Sequence, residues 1–172
     1  LAGRILVGAH DGVYVILFEG DVRLTLCTAV DGYIQKMFAD PQFRSVVVDL
    51  TGTESIDSTS LGVLAKLSIQ AEKQFGFRPT LVSTNQDVTR ILFSMGFDDV
   101  FTLVEEPLHH EEQLGELPIL DTTEADMRQR VLDAHRTLMA MNEHNREAFH
   151  DLVATLEAET PLPQPRRIRA SL

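Results

Sequence analysis

Only one cysteine, Cys27, occurs in the 172 residues. No disulfide can close within the chain, which suits a reducing compartment. A lone cysteine of this kind reads as a small apolar core residue. Basic residues are scarce: 15 Lys and Arg stand against 26 Asp and Glu, for a formal net charge of −11 and an isoelectric point near 4.9. Nucleic acid and anionic membrane surfaces both demand clustered Lys and Arg, so this balance excludes them as partners. Proteins and small molecules remain. No apolar run approaches the roughly 20 residues that cross a bilayer, and the first residues lack the basic start and apolar segment of a secretory leader. The expectation is a cytoplasmic protein with no membrane insertion. Catalytic signatures are missing as well. There is no G-x-x-x-x-G-K-[ST] loop and no G-x-S-x-G elbow. The chain is not expected to be an enzyme or to carry a cofactor.

What is present is a regular alternation of apolar patterns. Hydrophobic residues make up 44% of the chain, enough for one core with an added element. "RILVGA" (4–9) and "VYVILF" (13–18) flank Asp11-Gly12, a strong hairpin signal. Leu26, Val30, Ile34 and Met37 recur at helical spacing, weakened by Gly32 and closed by Pro41. "SVVVDL" (45–50) is β-branched and apolar throughout, the mark of a strand buried on both faces. Helical spacing resumes at Leu61, Leu64, Ala65, Ile69 and Phe75, with Gly76 as the stop. A strand at 79–83, a helix at 85–96 capped by Asn85, and a strand at 100–106 complete the order β-β-α-β-α-β-α-β. This predicts an α/β fold with a mixed sheet covered by helices.

Between the third strand and the second helix stands "IDSTSLGVL" (56–64). A helix N-terminus leaves four N–H groups without partners and carries about half a positive charge. Asp57 or Ser58 can accept from those groups, so a plain helix cap is a sufficient account of the stretch. The same physics allows a second one. A phosphate on a hydroxyl here adds about −1.5 to −2 charge, which the helix end tolerates and a docked protein surface does not.

"VVVDLTGTESIDSTSLGVLAKL" (46–67) resembles the signature of STAS domains, the family of bacterial anti-sigma factor antagonists, and "VTRILFSMGFDDVFTLVEE" (88–106) resembles that family's last helix and strand. The likeness covers residues 4–106. Leu61 and Gly62 match the signature, while Ser60 replaces its first glycine. The resemblance implies a STAS fold and a partner switch. The serine after the aspartate, Ser58, is the implied phosphoacceptor, with Thr59 as the alternative; Asp57, Ser58, Thr59 and Ser60 form the implied docking surface. The implied partners are an anti-sigma factor that is often also a serine protein kinase, and a phosphatase. A non-switching STAS scaffold of a signalling complex, a soluble subunit of a transport system, and a nucleotide- or lipid-binding domain are the rival roles.

The composition changes after residue 106. The expected organisation is a STAS domain over 1–106, a linker over 107–122 lying on it, a helical extension over 123–159, and a disordered Pro-rich and basic tail over 160–172. "HHEE" (109–112) offers metal-ligand types, but four adjacent loop residues rarely converge on one ion, so no metal is expected. The segment 123–158 lacks Gly and Pro. Thr123-x-x-Asp126 and Asp121-x-x-Glu124 both resemble a capping box at its start. Met127, Val131, Ala134, Leu138, Met141, Asn145, Ala148 and Leu152 follow four-three spacing. One helix of about 50 Å and a hairpin broken near "MNEHNRE" both fit this pattern. Packing on its own domain and self-association into a homodimer are both open. His135, His144 and His150 read as surface residues.

Overall fold

The computed structural model describes residues 2–109 and 113–159. The expected tail at 160–172, and three of the four "HHEE" residues, lie outside them. Two antiparallel strands, β1 (Arg4–His10) and β2 (Val13–Val22), form the expected hairpin. Its turn requires positive φ at both residues, +50° at Asp11 and +80° at Gly12. A side chain at Gly12 would also meet the Gln42 carbonyl oxygen at 2.0 Å, so glycine is demanded twice. A short 3-10 turn at Leu24–Leu26 leads into α1 (Cys27–Ala39), which ends before Pro41. Then come β3 (Ser45–Ile56), α2 (Ser58–Phe75), β4 (Thr80–Val82), α3 (Gln86–Ser94) and β5 (Thr102–Val104).

The sheet order is β5-β4-β3-β2-β1-β6, where β6 is Gly115–Glu116. β2, β3, β4 and β5 run parallel, and the β1 pairings are antiparallel. The mixed α/β fold expected from the apolar pattern is present. The core joins Ile16 and Phe18 of β2, Val46, Val48 and Leu50 of β3, and Leu61, Leu64 and Leu67 of α2.

Two elements differ from the sequence reading. β3 continues six residues past its apolar run, through "TGTESI". This polar half stays paired with β2 across two register shifts, and Thr53 Oγ1 donates to the Phe18 carbonyl at 2.9 Å. The extension carries the chain to Ile56, so that Asp57 N–H donates to Val22 O at 3.0 Å and α2 starts beside the end of β2. Within the expected linker, Gly115 and Glu116 pair with β1 and add β6 to the sheet edge. The linker is tied down by Leu117 N–H to Ile5 O at 2.8 Å and by Thr28 Oγ1 to Leu120 O at 3.2 Å.

The C-terminal segment is a hairpin, α4 (Glu124–Met141) and α5 (Glu143–Glu159). Thr123 caps α4 through the N–H of Asp126 at 3.0 Å. Neither Gly nor Pro makes the break. Asn142 turns extended, at φ −165° and ψ 169°, and its Oδ1 accepts the Asn145 N–H at 2.8 Å. The single four-three stripe is only half right: Ala134, Leu138 and Asn145 are buried, whereas Ala148 and Leu152 are exposed and Leu132, His135 and Val153 are buried instead. α4 packs against α2 on one side and α5 on another, and one stripe cannot serve both. His135, read as a surface residue, is 2% exposed; His144 and His150 are exposed as expected. Among the described residues, no helix is long and apolar enough to cross a membrane, and no cluster of His, Cys, Asp and Glu is arranged to hold a metal ion.

Candidate functional site at the start of α2

Asp57 ends the β3 connection with φ −85° and ψ 166°, the extended geometry of a helix cap. Both of its carboxylate oxygens are used. Oδ1 accepts the Ser60 N–H at 2.8 Å, which caps α2. Oδ2 accepts the Leu24 N–H at 2.7 Å, which pins the turn leading into α1. One residue therefore fixes the start of two neighbouring helical segments. The Asp57 carbonyl also accepts the Leu61 N–H at 3.1 Å, the first regular bond of the helix.

The three hydroxyls that follow have different fates. Thr59 and Ser60 are buried, at 4% and 3% exposure. Ser60 Oγ lies 3.3 Å from the Cys27 thiol. Burial, the largest influence, pushes that thiol up to about 12, despite an opposing pull from the Ser60 contact. Cys27 is thus the inert core residue that its isolation in the sequence suggests. Ser58 is the first residue of α2 and is only half-buried.

Ser58 is not bare. Its Oγ lies 2.8 Å from Nε2 of His135 on α4, 77 residues further along the chain. The other ring nitrogen, Nδ1, lies 2.7 Å from the Val131 carbonyl oxygen, which can only accept. In the neutral ring, then, Nδ1 carries the proton and the Ser58 hydroxyl donates to Nε2. The imidazole also meets the Phe149 ring of α5 edge-on, with centroids 5.0 Å apart. No local pattern flagged His135, because its role depends on a helix folding back across α2.

A serine bonded to a histidine is the opening arrangement of nucleophilic catalysis. Here the pair joins two helices. The histidine is sealed between α2, α4 and α5, and its far nitrogen is held by a backbone carbonyl. A separate crevice of about 20 Å³, lined by Asp31, Gly62, Lys66 and Arg130, lies between α1, α2 and α4 and has room for about one water. The pair works as a latch between two helices.

Compared with models of known families, the chain matches the STAS domain over residues 4–112. Among solved structures it is similar to an anti-sigma factor antagonist from Mycobacterium paratuberculosis, with 28% identity and a TM-score of 0.53. That alignment covers 61% of this chain and 87% of the other. Among curated proteins, no match was found.

Proposed function

Because the chain belongs to the STAS domain family, we propose that it acts as an anti-sigma factor antagonist in a phosphorylation-controlled partner switch. Unmodified, it binds an anti-sigma factor that is also a serine protein kinase and so frees the client of that factor. Phosphate on Ser58 ends the contact, and a phosphatase restores it. The protein is the substrate of this chemistry, working in the cytoplasm, and not its catalyst.

The observation that carries this reading is the difference between the three hydroxyls. Ser58 opens the helix and keeps part of its surface, while Thr59 and Ser60 are turned into the protein. A dianion on Ser58 meets the positive end of α2, so the fold accepts it. A protein surface seated there meets the same dianion beside Asp57 and loses the contact. Asp57, Thr59 and Ser60 contribute by shaping the turn that presents Ser58. The similarity to an anti-sigma factor antagonist at 28% identity supports the same role. A homodimer through the hairpin is the weaker reading, since α4 already packs on α2 and α5.

Incubation with ATP and the cognate kinase tests the assignment. Phosphate is expected on Ser58 of the wild type and on no residue of Ser58→Ala. Ser58→Asp should bind the kinase more weakly than Ser58→Ala by at least about tenfold, equivalent to about 1.4 kcal/mol. Label on another residue, or equal affinities for the two variants, would refute the switch.

A further inference from the structure

We infer that the α4–α5 hairpin is a built-in cover for the Ser58 face, so that α4 and the anti-sigma partner occupy the same surface in turn. This rests on the reading of Ser58 as the switch residue. The hairpin lies beyond the part of the chain that matches the STAS domain, residues 4–112. Its first helix nevertheless runs across the start of α2. His135 takes the Ser58 hydroxyl at 2.8 Å, and Arg130 forms an ion pair with Asp31 of α1. A protein seated over Ser58 must share that surface with α4.

The approach of the two helices is unusually close at one point. A Cβ built on Gly62 would stand 2.3 Å from the Ala134 carbonyl oxygen and 2.6 Å from its carbonyl carbon. Those are main-chain atoms that cannot swing aside. A glycine inside a helix is unfavourable, and here its missing side chain is the space into which the α4 backbone fits. This same glycine belongs to the stretch "STSLGVL" that carries Ser58. The glycine notch beside the phosphoacceptor is therefore a helix-docking surface, and the chain supplies its own helix to it.

The hairpin is also separable from the sheet. Among the described residues, the buried side-chain atoms left without a hydrogen-bond partner are Arg130 Nε and Asn145 Oδ1, and both belong to the hairpin. A buried polar atom that neither a protein group nor a water serves weakens a contact. The connector between β6 and α4, residues 117–123, has no regular structure, and no strand of the sheet comes from the hairpin. The hairpin can leave as a unit with the sheet intact, at the cost of withdrawing Ala134 and Leu138 from the core they share with α2. Asn142 and Asn145, whose Nδ2 atoms donate to Met95 O at 3.2 and 2.9 Å, anchor its bend to the end of α3.

Thiol labelling of the full-length chain tests the cover. In Ser58→Cys the introduced thiol stands at a helix N-terminus, where uncovered cysteines are reactive, while Cys27 is buried and silent. N-ethylmaleimide labelling followed by mass spectrometry reads the two sites separately. The second substitutions Gly62→Leu, which drives the Ala134 backbone away, and Leu138→Asp, which charges the buried face of α4, open the hairpin from opposite sides. Each should speed labelling of the introduced thiol at least tenfold, with loss of hydrogen-exchange protection in α4 and α5 and none in β2 and β3. Labelling of Cys27 identifies a variant that has failed to fold, and the other variant then decides. If the introduced thiol reacts as fast in the unopened chain as in urea, or no faster in an opened one, the cover is overturned. With kinase and ATP, Leu138→Asp, which leaves the α2 surface unaltered, should take phosphate on Ser58 faster than the wild type. Free labelling at position 58 in the unopened chain, with phosphate still found on Ser58, removes the cover alone. Slow labelling with no phosphate on Ser58 of the opened chain removes the switch on which it rests.

Discussion

Replacing His135 measures how firmly the hairpin is held. His135→Ala removes the acceptor of the Ser58 hydroxyl and the edge contact with Phe149, and leaves a hole in a site that is 2% exposed. The bond to the Val131 carbonyl adds little, because that oxygen is the regular i−4 acceptor of its own helix. A buried hydrogen bond contributes about 0.5–1.5 kcal/mol net, and an aromatic pair a similar amount beyond its buried area. With the cavity added, the expected loss is about 2–4 kcal/mol. It falls on the docking of the hairpin and not on the sheet, since the lost partners join α4 to α2 and to α5. Hydrogen exchange resolves that distinction, because local opening is read element by element. Protection in α4 and α5 should fall by roughly 30- to 700-fold at about 1.4 kcal/mol per decade, while β2 and β3 keep theirs. His135→Phe keeps the ring against Phe149 and loses the Ser58 acceptor together with the minor Val131 bond, so about 1 kcal/mol is expected. A cycle of Ser58→Ala with His135→Phe should then show coupling of about 0.5–1.5 kcal/mol. If His135→Phe were as costly as His135→Ala, or if the sheet lost protection together with the hairpin, the latch would be disproved.

Asp57 and Tyr14 offer two further tests. Asp57→Ala deletes the α2 cap and the acceptor of the Leu24 N–H, which should cost about 2–3 kcal/mol in urea unfolding. Asp57→Asn, with one acceptor oxygen in place of two, should recover about half, and full recovery would show that the Leu24 bond contributes nothing. Burial first, then the hydrogen bond to Asp40, pushes the Tyr14 phenol up to about 12. A folded pKa above the unfolded value of roughly 10 gives stability that is complete below about pH 10 and is lost as pH rises toward 12. Tyr14→Phe should therefore unfold with a flatter pH dependence over that alkaline range, and parallel curves for the two proteins would count against the assignment.

Local chemistry determined much of this protein on its own. Apolar periodicity placed the hairpin, the three helices of the sheet domain and its short strands, because each buries a face that the pattern encodes. Asp11-Gly12 set a turn that few other pairs can make, and the Asp57-Ser58 step marked a helix start whose cap bond, Asp57 to the Ser60 N–H, lies within the stretch itself. The second half of β3 was invisible, since its polar residues are held by cross-strand pairing with β2, which only the assembled sheet supplies. The C-terminal hairpin was decided in the same way. Its stripe fitted one long helix or two, and the choice came from the surfaces of α2 and α5 between which α4 lies. Above all, the partner of Ser58 is a histidine 77 residues distant. A hydrogen bond across that separation leaves no spacing to read, because it is made by helices packing together and not by neighbours along the chain.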